Sequence, residues 1–143
     1  MKARTIGYWI TTALVGFALV GGGVSDLMHA PQVTDALSHL GYPGYVATLL
    51  GTWKLLGALA ILVPGAPRLK EWAYAGIAFD LSGAVVSHAT VGDGIGQFAA
   101  PLVLLALAFA SWALRPASRR LASRESVPAR DAVALGHVHP EPA

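Results

Sequence analysis

No cysteine occurs in the 143 residues. That excludes disulfide staples, thiolate metal sites, cysteine nucleophiles and any dithiol chemistry of the chain's own. Charge is scarce as well. Asp, Glu, Lys and Arg make up 13% of the chain, against about 25% in an ordinary soluble domain. Neither sign dominates, since the formal net charge is +2, so partners must be inferred from where the charges sit. Nothing here calls for nucleic acid. What is abundant is apolar: hydrophobic residues reach 55% and the mean hydropathy is +0.56. The balance argues against a water-soluble globule and against disorder as the main state.

Four long apolar segments follow one another, at about residues 5–28, 44–63, 72–90 and 97–114. Each approaches the ~20 residues that cross a bilayer as a helix. A lipid-embedded span must be helical, because hydrocarbon offers backbone polar groups no partner. The apolar residues run all round each segment, and so short a chain leaves no soluble shell to cover four such helices. The expected fold class is therefore all-α: an integral membrane four-helix bundle over residues 1–115, multi-pass in the cell membrane, with the lipid bilayer as its main partner. The first segment, with Lys2 and Arg4 ahead of it, also has the outline of a secretory signal. Its core is long, however, and Met28-His29-Ala30 lacks the small residue wanted three before a cut. An uncleaved first span is the better reading.

Basic residues set the expected orientation. Nine of the ten Lys and Arg lie at the N-terminus, in the second connection or in the tail, and none lies in the first or third connection. Those groups fall on alternating sides of four spans, which predicts cytoplasmic N and C termini. Tyr8, Trp9, Trp72, Tyr74 and Trp112 near inner span ends, and Tyr42 and Tyr45 near outer ones, form an interfacial belt. The first connection is the longest. Pro31 suits a first helical turn, and Val33, Ala36, Leu37 and Leu40 recur at helical spacing, which predicts a short amphipathic helix on the outer surface between spans 1 and 2. A plain loop is the alternative. Residues 116–143 cannot bury a core and read as a disordered cytoplasmic tail. Arg115 at the end of the bundle and Arg119, Arg120 and Arg124 in the tail either touch anionic headgroups or serve as a topology signal. His137-Val138-His139 makes a poor metal site, and no metal is expected.

Ionisable groups within spans are costly and are functional candidates by default. Four occur: Asp26, Lys54, Asp80 and His88. At ~1.5 Å per residue, Lys54 and Asp80 lie about 13 and 12 Å from the inner face, on adjacent antiparallel spans. They are expected to meet near the midplane as a pair. That pair either fixes helix register or handles a proton or substrate. Asp26 and His88 lie roughly 3 Å in from the outer face and form a second expected level, with Ser25 and Ser87 beside them. Small residues share faces with these groups: Thr12, Gly16 and Gly23 with Asp26, Gly51 and Gly57 with Lys54, Gly76 and Gly83 with Asp80. Such faces are where helices approach closely in lipid. The candidate catalytic residues are Lys54, Asp80 and His88. Asp26, Trp53 and Ser87 are candidates for holding a cofactor. An outer pocket of His29, Asp26 and His88 is a further expectation.

Several stretches in order resemble the DoxX-like family of small four-span bacterial membrane proteins. They are Leu40-Gly41-Tyr42-Pro43, Gly51-Thr52-Trp53-Lys54-Leu55-Leu56-Gly57, Arg68 to Gly76, Phe79-Asp80-Leu81-Ser82-Gly83-Ala84, Ser87-His88 and Gly92-Asp93-Gly94. The resemblance covers about Ile6 to Arg115. It implies a four-helix membrane bundle with Lys54, Asp80, Ser87 and His88 at family positions. Some relatives are linked to membrane-associated sulfur or thiol oxidation and to oxidative-stress complexes. With no cysteine here, a partner or a quinone would have to carry the electrons. Three functions follow as expectations. One is an accessory subunit that docks a protein partner, or a second copy, or positions a quinone-like apolar molecule. Another is a membrane enzyme using buried Lys, Asp and His as acid-base groups. The last is a small proton-coupled transporter.

Overall fold

A computed structural model describes residues 2–121. The chain forms α1 (Lys2–Leu27), α2 (Pro31–His39), α3 (Tyr45–Leu62), α4 (Pro67–Thr90) and α5 (Ile95–Leu114), then a 3-10 turn, Ala117–Arg119. No strand occurs among the described residues. Four apolar segments thus became four long helices. α1 and α4 start earlier than the apolar patterns do, at Lys2 and Pro67, because charged first turns continue the helix beyond its apolar part. Pro67 at the first turn of α4 is pre-set for helical φ and its missing N–H costs nothing there.

The long helices pack in a ring. α1 lies against α3 and α5, and α4 against α5 and α3. Val15 and Leu19 of α1, Ala58 and Ile61 of α3, Tyr74, Ile77 and Leu81 of α4, and Ala108 of α5 meet in one buried cluster. Outside it, large apolar side chains point away: Phe17 is 83% exposed and Phe109 55%. An interior that holds polar groups inside an apolar exterior is the arrangement lipid requires. Three helices, α1, α3 and α5, are long and apolar enough to cross a membrane. α4 matches them in length but carries Arg68, Lys70, Glu71, Asp80 and His88, which dilute its apolar character.

Polar partners hold each end of the ring. At the basic end, Lys70 is fully buried and its ammonium donates to the carbonyl oxygens of Ala60 (2.9 Å), Ile61 (3.2 Å) and Val63. It caps the C-terminus of α3, where unpaired carbonyls and the helix dipole favour a cation. Arg115 donates to Glu71 at 2.7 Å and lies over the rings of Tyr74 and Trp112. Arg119 donates to the Tyr8 hydroxyl and the Ile61 carbonyl, both at 3.2 Å, and lies over Trp9. Arg120 donates to the Arg115 and Ala113 carbonyls. Three arginines read as headgroup or topology groups are therefore engaged by the bundle itself. The rest of the expected tail, with Arg124 and His137-Val138-His139, lies outside the described residues. Between the ends, Ser111 is buried and shares hydrogen bonds with Thr12 (2.6 Å) and Tyr74 (2.7 Å), joining α5 to α1 and α4.

α2 lies across the opposite end. Of its expected apolar face, Leu37 is buried, Val33 and Leu40 are half-buried and Ala36 is exposed. Pro31 occupies its first turn, as the sequence predicts.

The tightest approach sets the whole ring. Where α1 crosses α3, a Cβ added to Gly51 would stand 2.8 Å from the Gly23 carbonyl oxygen and 2.9 Å from the Asp26 Cβ. Backbone cannot swing aside as a flexible side chain can. Gly51→Ala is therefore expected to force α1 and α3 apart and to cost about 1–3 kcal/mol. A melting curve of the purified variant in detergent checks this. Gly76→Ala is the control, since a Cβ there meets nothing within 4 Å.

Candidate functional site

The α1–α3 crossing decides which ionisable groups meet. Lys54 does not pair with Asp80. Its ammonium donates to Asp26 at 2.7 Å. The correction has a geometric cause. Side chains lean toward the N-terminus of their own helix. α3 runs from the histidine end to the basic end, so Lys54 leans toward the histidine end. α4 runs the other way, so Asp80 at a similar level leans away from it. α1 also runs toward the histidine end, so Asp26 leans back down toward Lys54. The Gly23–Gly51 contact then brings the two within reach. Depth counting found the level but not the direction of lean.

The second expected level is corrected too. His88 does not pair with Asp26. It donates through Nδ1 to Asp93 at 2.6 Å, while His39 at the end of α2 donates through Nε2 to the other Asp93 oxygen at 2.8 Å. Gly92, at φ +79°, adopts the left-handed conformation that turns Asp93 toward both rings. Ser87 shares a hydrogen bond with the Tyr42 hydroxyl (2.8 Å). His29 meets Thr48 (3.2 Å). The expected outer pocket of His29, Asp26 and His88 is not formed, because each has a different partner. Asp93 and His39 were missed as a site. The Val91-Gly92-Asp93-Gly94 turn was visible as a turn, but nothing in the spacing tied it to a helix 54 residues earlier.

Two cavities meet at the Lys54 level. One, of about 500 Å³, opens at the histidine end beneath Leu37, Leu40 and Tyr42, and runs past Ser87 and His88 down to Lys54 and Asp80. Pro101, inside α5, lines its wall. The other, of about 700 Å³, lies between α3 and α4 and is lined by Trp53, Leu56, Gly57, Trp72, Gly76 and Ile77. Leu19, Leu50, Lys54, Phe79 and Asp80 line both. Trp53, expected as a cofactor contact, is 62% exposed and stands at the lateral cavity. Asp80 makes no hydrogen bond or ion pair among the described residues. The six candidate residues thus divide. Lys54 and Asp80 line both cavities, Ser87 and His88 line the upper one, Trp53 lines the lateral one, and Asp26 holds Lys54 from outside.

No cluster of three or more His, Asp or Glu that could hold a metal occurs among the described residues. The chamber is instead a largely apolar space with the paired Lys54 and the carboxylate of Asp80 where its two cavities share a wall.

Two outcomes follow. The Lys54 side chain is 22% exposed and that of Asp26 8%, so removing one partner strands a charge. Asp26→Asn and Lys54→Met are each expected to destabilise the fold by about 3 kcal/mol, the low end for a buried pair. The double variant Asp26→Leu with Lys54→Met is expected to recover most of that loss in the same detergent melt.

The second concerns the His39–Asp93–His88 clasp that ties α2 down. Hydrogen bonds from His88, then from His39, hold the Asp93 carboxyl below the ordinary carboxylate range. A depressed carboxyl contributes stability that is present above its unfolded value and is lost as pH falls through its folded one. The clasp is expected to hold from neutrality to about pH 4 and to open below it. Asp93→Asn is expected to open it at pH 7. Amide exchange of residues 31–39, corrected for intrinsic rates, reads both, and unchanged protection in Asp93→Asn would refute the clasp.

A family model described as the DoxX-like family matches residues 10–111, from within α1 to near the end of α5. No curated protein and no solved structure matches the chain. With three helices apolar enough to cross a bilayer, the match makes this a membrane protein.

Proposed function

We propose, for a chain that belongs to the DoxX-like family, the role of a four-span accessory protein of the cell membrane that holds an amphiphilic molecule between its helices. α4 is its fourth span. Its charged first turns, Arg68 to Glu71, sit at the basic end with Arg4, Arg115 and Arg119, and that end is cytoplasmic by the rule that basic residues stay inside. Both termini are then cytoplasmic, and the clasp and α2 face outward.

The observation that carries this reading is the junction of the two cavities at Lys54 and Asp80. The lateral cavity lies between two helices of the ring, where an apolar body can enter from the hydrocarbon. The upper one reaches the outer face. A molecule with an apolar body and a polar head fits both: body in the α3–α4 cleft, head at the polar level. Binding sites of a few hundred cubic ångströms with apolar walls and few polar groups are usual for small ligands. A quinone-like ring on an apolar tail is one occupant of this kind, and a redox or stress-related complex is the setting in which such a subunit would serve.

The upper cavity also favours a second reading, a small proton-coupled transporter, because it gives Asp80 a route to the outer face. The enzyme reading asks Lys54, Asp80 and His88 to act on one substrate, yet Asp26 engages the first and Asp93 the last.

Glycine positions test the chamber. A Cβ at Gly76 or at Gly83 meets nothing within 4 Å, so Leu at either fills space rather than displacing a helix. Gly76→Leu is expected to fold and to abolish saturable binding of a short-tailed benzoquinone, read by tryptophan fluorescence quenching in detergent. Gly83→Leu, which narrows the upper cavity alone, is expected to weaken it less. Equal binding by wild type and Gly76→Leu would remove the lateral cavity from the account.

A further inference from the structure

The charges at the junction carry a consequence for what kind of head group it accepts. Lys54 and Asp26 neutralise each other. His88 is taken by Asp93. That leaves Asp80 as the one ionisable group lining the chamber with no hydrogen bond or ion pair among the described residues. With Asp80 ionised, the Lys54 ammonium and the carboxylates of Asp26 and Asp80 sum to a negative charge. Around Asp80 the shared walls are Leu19, Leu50 and Phe79, which cannot hydrogen-bond it through a side chain, and Lys54, whose ammonium is bonded to Asp26. A carboxylate so placed is costly unless it gains a proton or a counter-cation.

The lateral cavity supplies the second half of the recognition. Trp53, Trp72 and Phe79 line it together with Asp80. Aromatic faces attract a cation through the ring quadrupole, tryptophan most of all, and more strongly when water is excluded. A carboxylate in an apolar cleft that aromatic side chains help to line favours a cation that carries an apolar body. It disfavours an anion of the same shape, which would meet the Asp80 charge where the one ammonium, Lys54, is already bonded to Asp26.

We propose that the chamber selects lipophilic cations, with the positive centre beside Asp80 and the apolar body in the α3–α4 cleft. This rests on the chamber being a ligand site, and it names the charge class of the ligand.

Tetraphenylphosphonium and tetraphenylborate test it, because they share a shape and differ in charge. Binding is read by saturable tryptophan quenching of the full-length protein in a neutral maltoside detergent, with protein-free micelles and free tryptophan subtracted. The wild type is expected to bind the phosphonium saturably and the borate at least tenfold more weakly. Asp80→Asn is expected to lower phosphonium affinity tenfold or more, Asp80→Glu to retain it, and Gly76→Leu to abolish it. Saturable, Gly76→Leu-sensitive binding of both ions alike would overturn the charge selection and leave the chamber standing. Undiminished phosphonium binding by Asp80→Asn would do the same. Absence of saturable binding by either ion, together with absence of benzoquinone binding, would overturn the chamber as well. Should Asp80→Asn fail to accumulate, the contrast between the two ions on the wild type decides the matter alone.

Discussion

Hydrocarbon solvates neither a charge nor a free carbonyl, and that constraint organises the interior of this protein. Most of the polar groups buried within the ring find a partner on another helix, and a few hydroxyls bond a carbonyl of their own. The partners found across helices are what order them. Ser111 joins α5 to α1 and α4 through Thr12 and Tyr74. Lys54 joins α3 to α1 through Asp26. Lys70 reaches from α4 to the last carbonyls of α3. Apolar packing alone could not specify these neighbours, because lipid tails contact leucine as readily as another helix does. The small residues enter as the condition for the polar contacts. Gly23 and Gly51 let two backbones come close enough for a lysine and an aspartate on different levels to touch.

The helical segments were legible because they rest on composition, and composition survives any arrangement of the helices. The same holds for α2, whose proline and apolar spacing are local. Partners were not legible in the same way. Equal depth made Lys54 and Asp80 look like a pair, and depth is a one-dimensional property. Which neighbour a side chain meets also depends on which helices are adjacent, how closely they cross and which way the side chain leans. The glycines flanking Lys54 marked a packing face, but not that α1 rather than α4 supplied the counter-charge. Lys70 was similarly hidden: as one basic residue in a basic connection it reads as a topology signal, and its burial follows only once α3 ends beside it.

Misplacing one ion pair changes the chemistry assigned to the site. Had Lys54 and Asp80 formed the pair, the chamber would be lined by a neutral couple and would have no preference in charge. With Asp26 taking the lysine, the carboxylate of Asp80 is left over. Register alone does not call for a carboxylate at position 80, since Asp80 makes no hydrogen bond or ion pair among the described residues. An unpartnered acid on the wall between a lateral and an outward cavity is therefore costly to the bundle and explicable by what enters it.

The clasp at the outer end fits the same logic from the other direction. Asp93 accepts from two histidines, so its carboxylate is fully employed, and α2 is drawn over the upper cavity along with Leu37, Leu40 and Tyr42. Its partners sit at an aqueous surface, where they can exchange for water at little cost. Asp80 lies deeper, in a chamber wall that is mostly apolar. Two aspartates only 13 residues apart in sequence thereby meet opposite surroundings, Asp93 tying α2 down at the outer end and Asp80 lining both cavities beneath it.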